Sequence, residues 1–214
     1  MGRIRNKKWA DEFLRESKYV LNDSSFNNKN WKDYFKNDYP VEIELGHGKG
    51  DFLVEKLKEN KKINFVGIEK NITIQGLAIK KIIFNNKDLN NIYFLNIDVF
   101  SLDKYFEKNS LKKIYINFPD PWPKDRHKKR RLIYIDFLDI YYKLLKKNGI
   151  IEFKTDNLPL FEFLLEELKE FQKFKIIEKN YDLHKKNNKK IIKTEYEKKF
   201  IEQGKPIYYL KIKK

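Results

Sequence analysis

The sequence predicts an α/β protein: a mostly parallel central sheet flanked by helices, closed by antiparallel strands at the C-terminal end. Three observations carry this. Strand-like runs alternate with helical segments through residue 170, the pattern of parallel strands joined by helical crossovers. Glycine and proline are scarce and cluster after strand-like runs: Gly46, Gly48 and Gly50 are three of eight glycines, and Pro119, Pro121 and Pro123 three of six prolines. An acidic residue recurs near the carboxyl edge that these strands would share, at Glu44, Glu69, Asp98, Asp120 and Asp156. Sheets of this kind bind ligands beyond the carboxyl ends of their strands.

The elements follow in order. Residues 41–45, "VEIEL", alternate as a strand and meet "GHGKG"; 51–59 read as a helix. "NFVGIE", ending at Glu69, is a second strand, and "ITIQGLAIKKIIF" a helix. "NIYFLNID" ends at Asp98, with a short helix from Ser101 to Lys108, and "KKIYINF" is a fourth strand ending at Phe118. Ile133, Phe137, Leu138, Tyr141, Leu144 and Leu145 form an apolar face at helical spacing, with Lys146 and Lys147 in the last turn and Gly149 as the stop. "GIIEFKTD", ending at Asp156, is a fifth strand. Pro159 opens a helix with Phe161, Leu164, Leu165 and Leu168 on one face. From Ile176 the tail reads as antiparallel strands around a Lys/Asn-rich loop at 184–190, and "ADEFLRES" near the N-terminus looks helical.

Composition bounds the function. At 214 residues with 41% hydrophobic content, the chain can bury a sizeable core. No run approaches eighteen apolar residues, and "MGRIRNKKWADEF" lacks the apolar core of a signal peptide, so a cytoplasmic location without membrane insertion is expected. The absence of cysteine excludes disulfides, thiolate metal sites and cysteine nucleophiles. A net charge of +16 suits a polyanionic partner, although a lysine-rich solvated surface gives the same number. Arginine reports better. There are only six, and Arg126, Arg130 and Arg131 lie together in "NFPDPWPKDRHKKRR", residues 117–131. A planar guanidinium fits phosphate as a fork.

The loop "ELGHGKG" between a strand and a helix lets backbone amides approach a ligand. Glu44 precedes its first glycine, and Glu69 ends the next strand at the distance of a ribose-binding carboxylate. A pyrophosphate would be poorly served beside Glu44. S-adenosylmethionine carries a sulfonium and an ammonium and no phosphate, so local chemistry favours it over a nicotinamide cofactor; a ligand-free tight turn is the third reading. His47 has no metal partners at useful spacing and reads as an exposed loop histidine, and no metal is expected. Trp122 reads either as a base-stacking ring or as a packed aromatic that stiffens its loop.

Taken together, "IELGHGKG", "GIE", "NID", "NFPDPWPKDRHKKRR", "FKTDN" and "TEYEKKFIEQGKPIY" resemble the bacterial tRNA (guanine-N7-)-methyltransferases over nearly the whole chain. The resemblance implies a Rossmann-like class I S-adenosylmethionine-dependent methyltransferase fold. It implies methyl transfer to N7 of the variable-loop guanosine at tRNA position 46, and S-adenosylhomocysteine as coproduct. Glu44, Gly46, Gly48, Glu69, Asp98 and Asp120 would bind the cofactor, and Asp120 would be the catalytic residue. Lys124, Asp156, Thr194, Glu195, Tyr196 and Glu197 would hold the guanosine; Arg126, His127, Lys128, Lys129, Arg130 and Arg131 would contact RNA at the start of the next helix. Residues 1–35 are expected to form an N-terminal extension, lying on the sheet or reaching toward RNA, and 36–214 a single methyltransferase domain. The expected partner is tRNA, with no obligate protein partner and a monomer or homodimer. Rival readings are an amino-methyltransferase acting on adenine or cytosine, for which "FPDPW" has similar ingredients in a different order, and a non-catalytic RNA-binding module.

Overall fold

Strand ends punctuated by glycine and proline position the chain's polar residues, and the computed structural model shows how. It describes residues 6–22, 25–26, 28–85, 89–185, 192 and 194–214, with Glu195 described by its backbone only. The chain divides into two compact units, Met1–Glu107 and Lys108–Lys214.

The first unit runs α1 (Lys8–Glu16), α2 (Trp31–Phe35), β1 (Val41–Leu45), α3 (Asp51–Glu59), β2 (Asn64–Ile68), α4 (Ile72–Asn85) and β3 (Ile92–Leu95). A short 3-10 turn (Val99–Ser101) and α5 (Leu102–Tyr105) follow. Its strands lie parallel in the order β3-β2-β1, with Leu45 beside Ile68 and Ile68 beside Leu95. Every residue of β1 and β2 is buried, as expected of strands covered on both faces. Described residues of the N-terminal segment pack within this unit. Residues 19–21 run along β3, where the Phe94 amide donates to Tyr19 and the Leu21 amide to Phe94. α1 packs on α4, with the Trp9 ring over Gly76 and the Lys80 ammonium 4.1 Å from that ring's centre. A Cβ on Gly76 would come within 3.2 Å of the indole, so the glycine lets the two helices meet. Arg3 and Arg5 lie outside the described residues.

The second unit runs β4 (Leu111–Asn117), a 3-10 helix (Asp125–Arg130), α6 (Ile135–Leu144), β5 (Leu145–Thr155), α7 (Leu158–Phe171), β6 (Lys175–Asn180), α8 (Glu195–Glu202) and β7 (Tyr208–Lys213). β4 and β5 are parallel, β7 is antiparallel to β5 and β6, and the order is β4-β5-β7-β6. Among the described residues, the first unit supplies three parallel strands and the second four, of which β7 alone runs against its neighbours, with helices on the connections.

Three expectations are corrected. The helix after the basic stretch stops at Leu144, because Leu145 leaves it to pair with Leu111 in the sheet and is fully buried there. Lys146 and Lys147 are therefore exposed on a strand irregularity, not in a helical turn, and Asn148 (φ +65°) turns the chain back into register. The basic run forms its own 3-10 helix and is separated from α6 by a turn. The tail between β6 and β7 also contains a helix, α8, over residues read only as a ligand-binding stretch. Of the loop at 184–190, residues 186–190 lie outside the described residues.

Candidate active site

In the first unit the glycine loop leaves β1 at the end where Glu44 is buried. The amides of Gly46 and His47 donate to the Ile68 carbonyl at 2.8 and 3.2 Å, pinning the loop against the end of β2. Gly46 and Gly48 take φ +67° and +55°, a region that side chains rarely adopt, and a Cβ at either would meet nothing within 4 Å. These glycines are thus required by backbone shape, and the space outside them is open. Glu69 follows β2, and its Oε1 accepts from the Asn71 amide at 2.9 Å. Asp98 follows β3; one oxygen accepts from the Phe100 amide at 3.1 Å and the other from the Lys70 ammonium at 2.6 Å. Partial burial works to raise the Asp98 carboxyl, but Lys70 and the Phe100 amide outweigh it and hold it below its ordinary value. Asp98 is thus paired within the protein itself, with one oxygen on Lys70 and the other on a backbone amide.

His47 is corrected from exposed to buried: it is 5% accessible. Its Nδ1 lies 3.0 Å from the Gly48 carbonyl and its ring meets the edge of Phe94 at 5.3 Å, while Nε2 is buried without a hydrogen-bond partner. A Cβ on Gly67 would come within 2.9 Å of the imidazole and 2.8 Å of Phe94, so the glycine in "GIE" makes the room. Burial pushes the imidazole from 6.5 down to about 4, so it is neutral at neutral pH.

In the second unit two separate stretches of sequence meet. The Phe118 amide donates to the Lys154 carbonyl at 2.8 Å, extending the β4–β5 ladder by one residue before the chain turns away. Phe118 has φ +50° and Trp122 φ +42°. Both precede a proline, and they bracket Pro119–Asp120–Pro121. Left-handed backbone at a bulky residue costs on the order of 1–3 kcal/mol and persists only where surroundings hold it. The Phe118 ring packs on Tyr196 (6.4 Å between centres) and Phe200 (5.9 Å) of α8. Trp122 meets the His127 edge at 5.6 Å and lies under the Arg130 guanidinium at 5.1 Å. Of the two readings of Trp122, the packed aromatic matches these contacts. Asp120 and Lys124 are exposed, and Asp156 is half-buried just past β5.

The Thr194–Glu197 stretch opens α8. Thr194 Oγ1 accepts from the Glu197 amide at 3.0 Å, and Glu197 Oε2 accepts from the Thr194 amide at 3.3 Å. This reciprocal capping box satisfies two otherwise orphaned donors. The fully buried Glu197 carboxylate also receives the Lys154 ammonium at 3.1 and 3.0 Å and His184 Nε2 at 2.7 Å. Lys154 Nζ donates further to the Ile192 carbonyl at 3.0 Å. Lys154 and His184, which carry no role in the sequence reading, thus hold this stretch. Tyr196, 41% accessible, is the outward aromatic.

The basic run is not uniform. Arg126, Lys128, Lys129 and Arg130 are exposed. Desolvation, then the charges of Arg130, Arg126 and Lys124, lower the His127 imidazole, which favours its neutral form. Arg131 is half-buried and bonded to loop carbonyls. Among the described residues, no cluster of His, Asp or Glu could hold a metal ion, and no helix is long and apolar enough to cross a membrane.

Comparison with known proteins identifies the family. A family model described as "Putative methyltransferase" matches residues 38–210. A tRNA (guanine-N(7)-)-methyltransferase of Alkaliphilus metalliredigens is 41% identical over 208 residues, 96% of this chain and 97% of its own. The Bacillus subtilis protein of the same name is 42% identical over 208 residues, 96% of each chain. Among solved structures, a 16S rRNA (adenine(1408)-N(1))-methyltransferase with cosubstrate SAM from Catenulisporales acidiphilia superposes with TM-score 0.58. It is 10% identical, covers 86% of this chain and 89% of that one, and supports the fold alone. The chain has the Rossmann-like class I methyltransferase fold and belongs to the tRNA (guanine-N(7)-)-methyltransferases.

Proposed function

We propose that this protein transfers a methyl group from S-adenosylmethionine to N7 of the variable-loop guanosine at position 46 of tRNA, in the cytoplasm. The observation that carries the reading is identity above 40% across 96% of the chain to enzymes named for N7 transfer on tRNA guanine. The donor set fits the cofactor: Glu44 lies at the end of β1, Glu69 and Asp98 follow the adjacent parallel strands β2 and β3, and Gly46 and Gly48 leave open space beside them. Carboxylates suit an ammonium, a sulfonium and ribose hydroxyls.

When bound, S-adenosylmethionine supplies an electrophilic methyl. Guanine N7 carries a free lone pair and is an acceptor in the neutral base, so no proton need be removed. The protein's work is alignment and electrostatics. In this reading Asp120 lies beside the base and stabilises the positive charge that develops as N7 is alkylated. Lys124, Asp156 and the Thr194–Glu197 stretch hold the guanosine. Asp156 accepts from the N1–H and amino group that distinguish guanine from adenine. Glu197 acts by fixing the stretch, since its oxygens already hold Lys154, His184 and the Thr194 amide. Glu195 and Tyr196 meet the base in this reading. The N7 edge in A-form RNA lies in a groove that side chains cannot enter, so the base leaves its stack, at a cost of about a few kcal/mol. Phosphate contacts from Arg126, Lys128, Lys129 and Arg130 offset that cost.

Asp120→Ala tests the assignment of roles. Methyl transfer is expected to be abolished while most of the tRNA affinity survives; near-normal turnover would refute the role of Asp120. A tRNA carrying adenosine at position 46 should accept no methyl group, and equal labelling of that tRNA would refute the position.

A further inference from the structure

Within the basic run from Arg126 to Arg131, the last member does not face outward like Arg126, Lys128, Lys129 and Arg130. Arg131 Nε donates to the Pro121 carbonyl at 3.1 Å, and Nη2 donates to the Trp122 carbonyl at 3.1 Å. Nε also approaches the Trp122 carbonyl at 3.4 Å. The guanidinium lies over the Phe163 ring of α7, its carbon 4.3 Å from the ring centre. One turn further along α7, the buried Glu167 carboxylate accepts from the Ile135 amide at the first turn of α6. Helix α7 therefore grips both ends of the short segment that carries Arg131, by a ring at one end and a carboxylate at the other.

The two carbonyls are not arbitrary. They belong to the residues immediately after Asp120, and Trp122 is one of the two left-handed positions that bracket it. A left-handed, pre-proline tryptophan does not keep that shape unaided. Two parallel N–H groups on consecutive carbonyls fix the peptide plane between them, which an ammonium with one point charge cannot do as well.

We propose that Arg131 is a positioning residue for methyl transfer: its guanidinium clamps the Pro121 and Trp122 carbonyls and thereby aims Asp120. It is not part of the phosphate grip, which belongs to the exposed Arg126, Lys128, Lys129 and Arg130. The proposal rests on the reading of Asp120 as the group beside the base.

Two substitutions test it without depending on one fold outcome. Arg131→Lys keeps the charge and loses the fork. Under the clamp it lowers turnover at saturating tRNA by on the order of 100-fold, the scale of a reacting group displaced by about 1 Å. Its tRNA dissociation constant and the salt slope of binding stay at wild-type values. Lys128→Ala/Lys129→Ala, in contrast, weakens binding and flattens the slope by about 2. Wild-type turnover in Arg131→Lys would overturn the clamp. So would a slope flattened by about 1 in Arg131→Ala, because that is the loss of a phosphate contact. Asp120→Asn run alongside separates the two claims. If it turns over normally while Arg131→Lys does not, the role of Asp120 fails and Arg131 remains a positioning residue for some other group in the loop.

Discussion

At position 47 an imidazole sits where water hardly reaches it, with Nδ1 on the Gly48 carbonyl and its ring against Phe94. Its folded value, about 4, lies below the ordinary 6.5. The unfolded chain therefore binds more protons between those values, and stability present above pH 6.5 is lost as pH falls toward 4. The shift corresponds to about 3 kcal/mol at most. His47→Asn is expected to shrink the stability difference between pH 7.5 and pH 5 measured by urea unfolding; an undiminished difference would show that His47 is not buried neutral. The sequence could not reveal this burial locally. It depends on Gly67, twenty residues on, whose missing side chain leaves room for the ring. Arg131 is similar: its place in a basic run suggests phosphate, and its carbonyl partners ten residues earlier become visible only once the loop folds back.

Among the elements, α8 has a start that the sequence carries in plain sight. Thr194-x-x-Glu197 is a capping-box pattern, but a stretch recognised for its ligand role hid the ordinary local signal. The buried Lys154–Glu197 pair then anchors the helix start to β5, while the Lys154 carbonyl holds Phe118 at the mouth of the Asp120 loop. Removing one partner leaves an uncompensated buried charge. Lys154→Met is expected to destabilise the protein by about 3–5 kcal/mol, and Lys154→Met/Glu197→Leu by less than the single change. Denaturant midpoints at neutral pH check both; a double variant weaker than Lys154→Met would show that the charge is not the cause. The end of α6 is illegible in the sequence for a different reason. Leu144 and Leu145 are both apolar and both buried, so periodicity continues across the point where the sheet captures the chain.

For the whole molecule, the fold is legible because each of the first four strands carries its own terminator: "GHGKG" after β1, Glu69 after β2, Asp98 after β3, and a proline cluster after β4. The acids at those ends were legible as positions, but their partners were not, since Lys70 reaches Asp98 only through the parallel pairing of β2 and β3. A net charge of +16 predicts steeply salt-dependent tRNA binding, with the affinity falling linearly on a logarithmic plot. An affinity that is flat in salt would show that the lysines are only a solvated surface.

The central claim is the atom that receives the methyl group. Incubation of the protein with labelled S-adenosylmethionine and unmodified tRNA, followed by nucleoside analysis, tests cofactor, substrate and position together. The account predicts label in 7-methylguanosine and in no other nucleoside. Label in a methylated exocyclic amine of adenine or cytosine, or none at all, would contradict it.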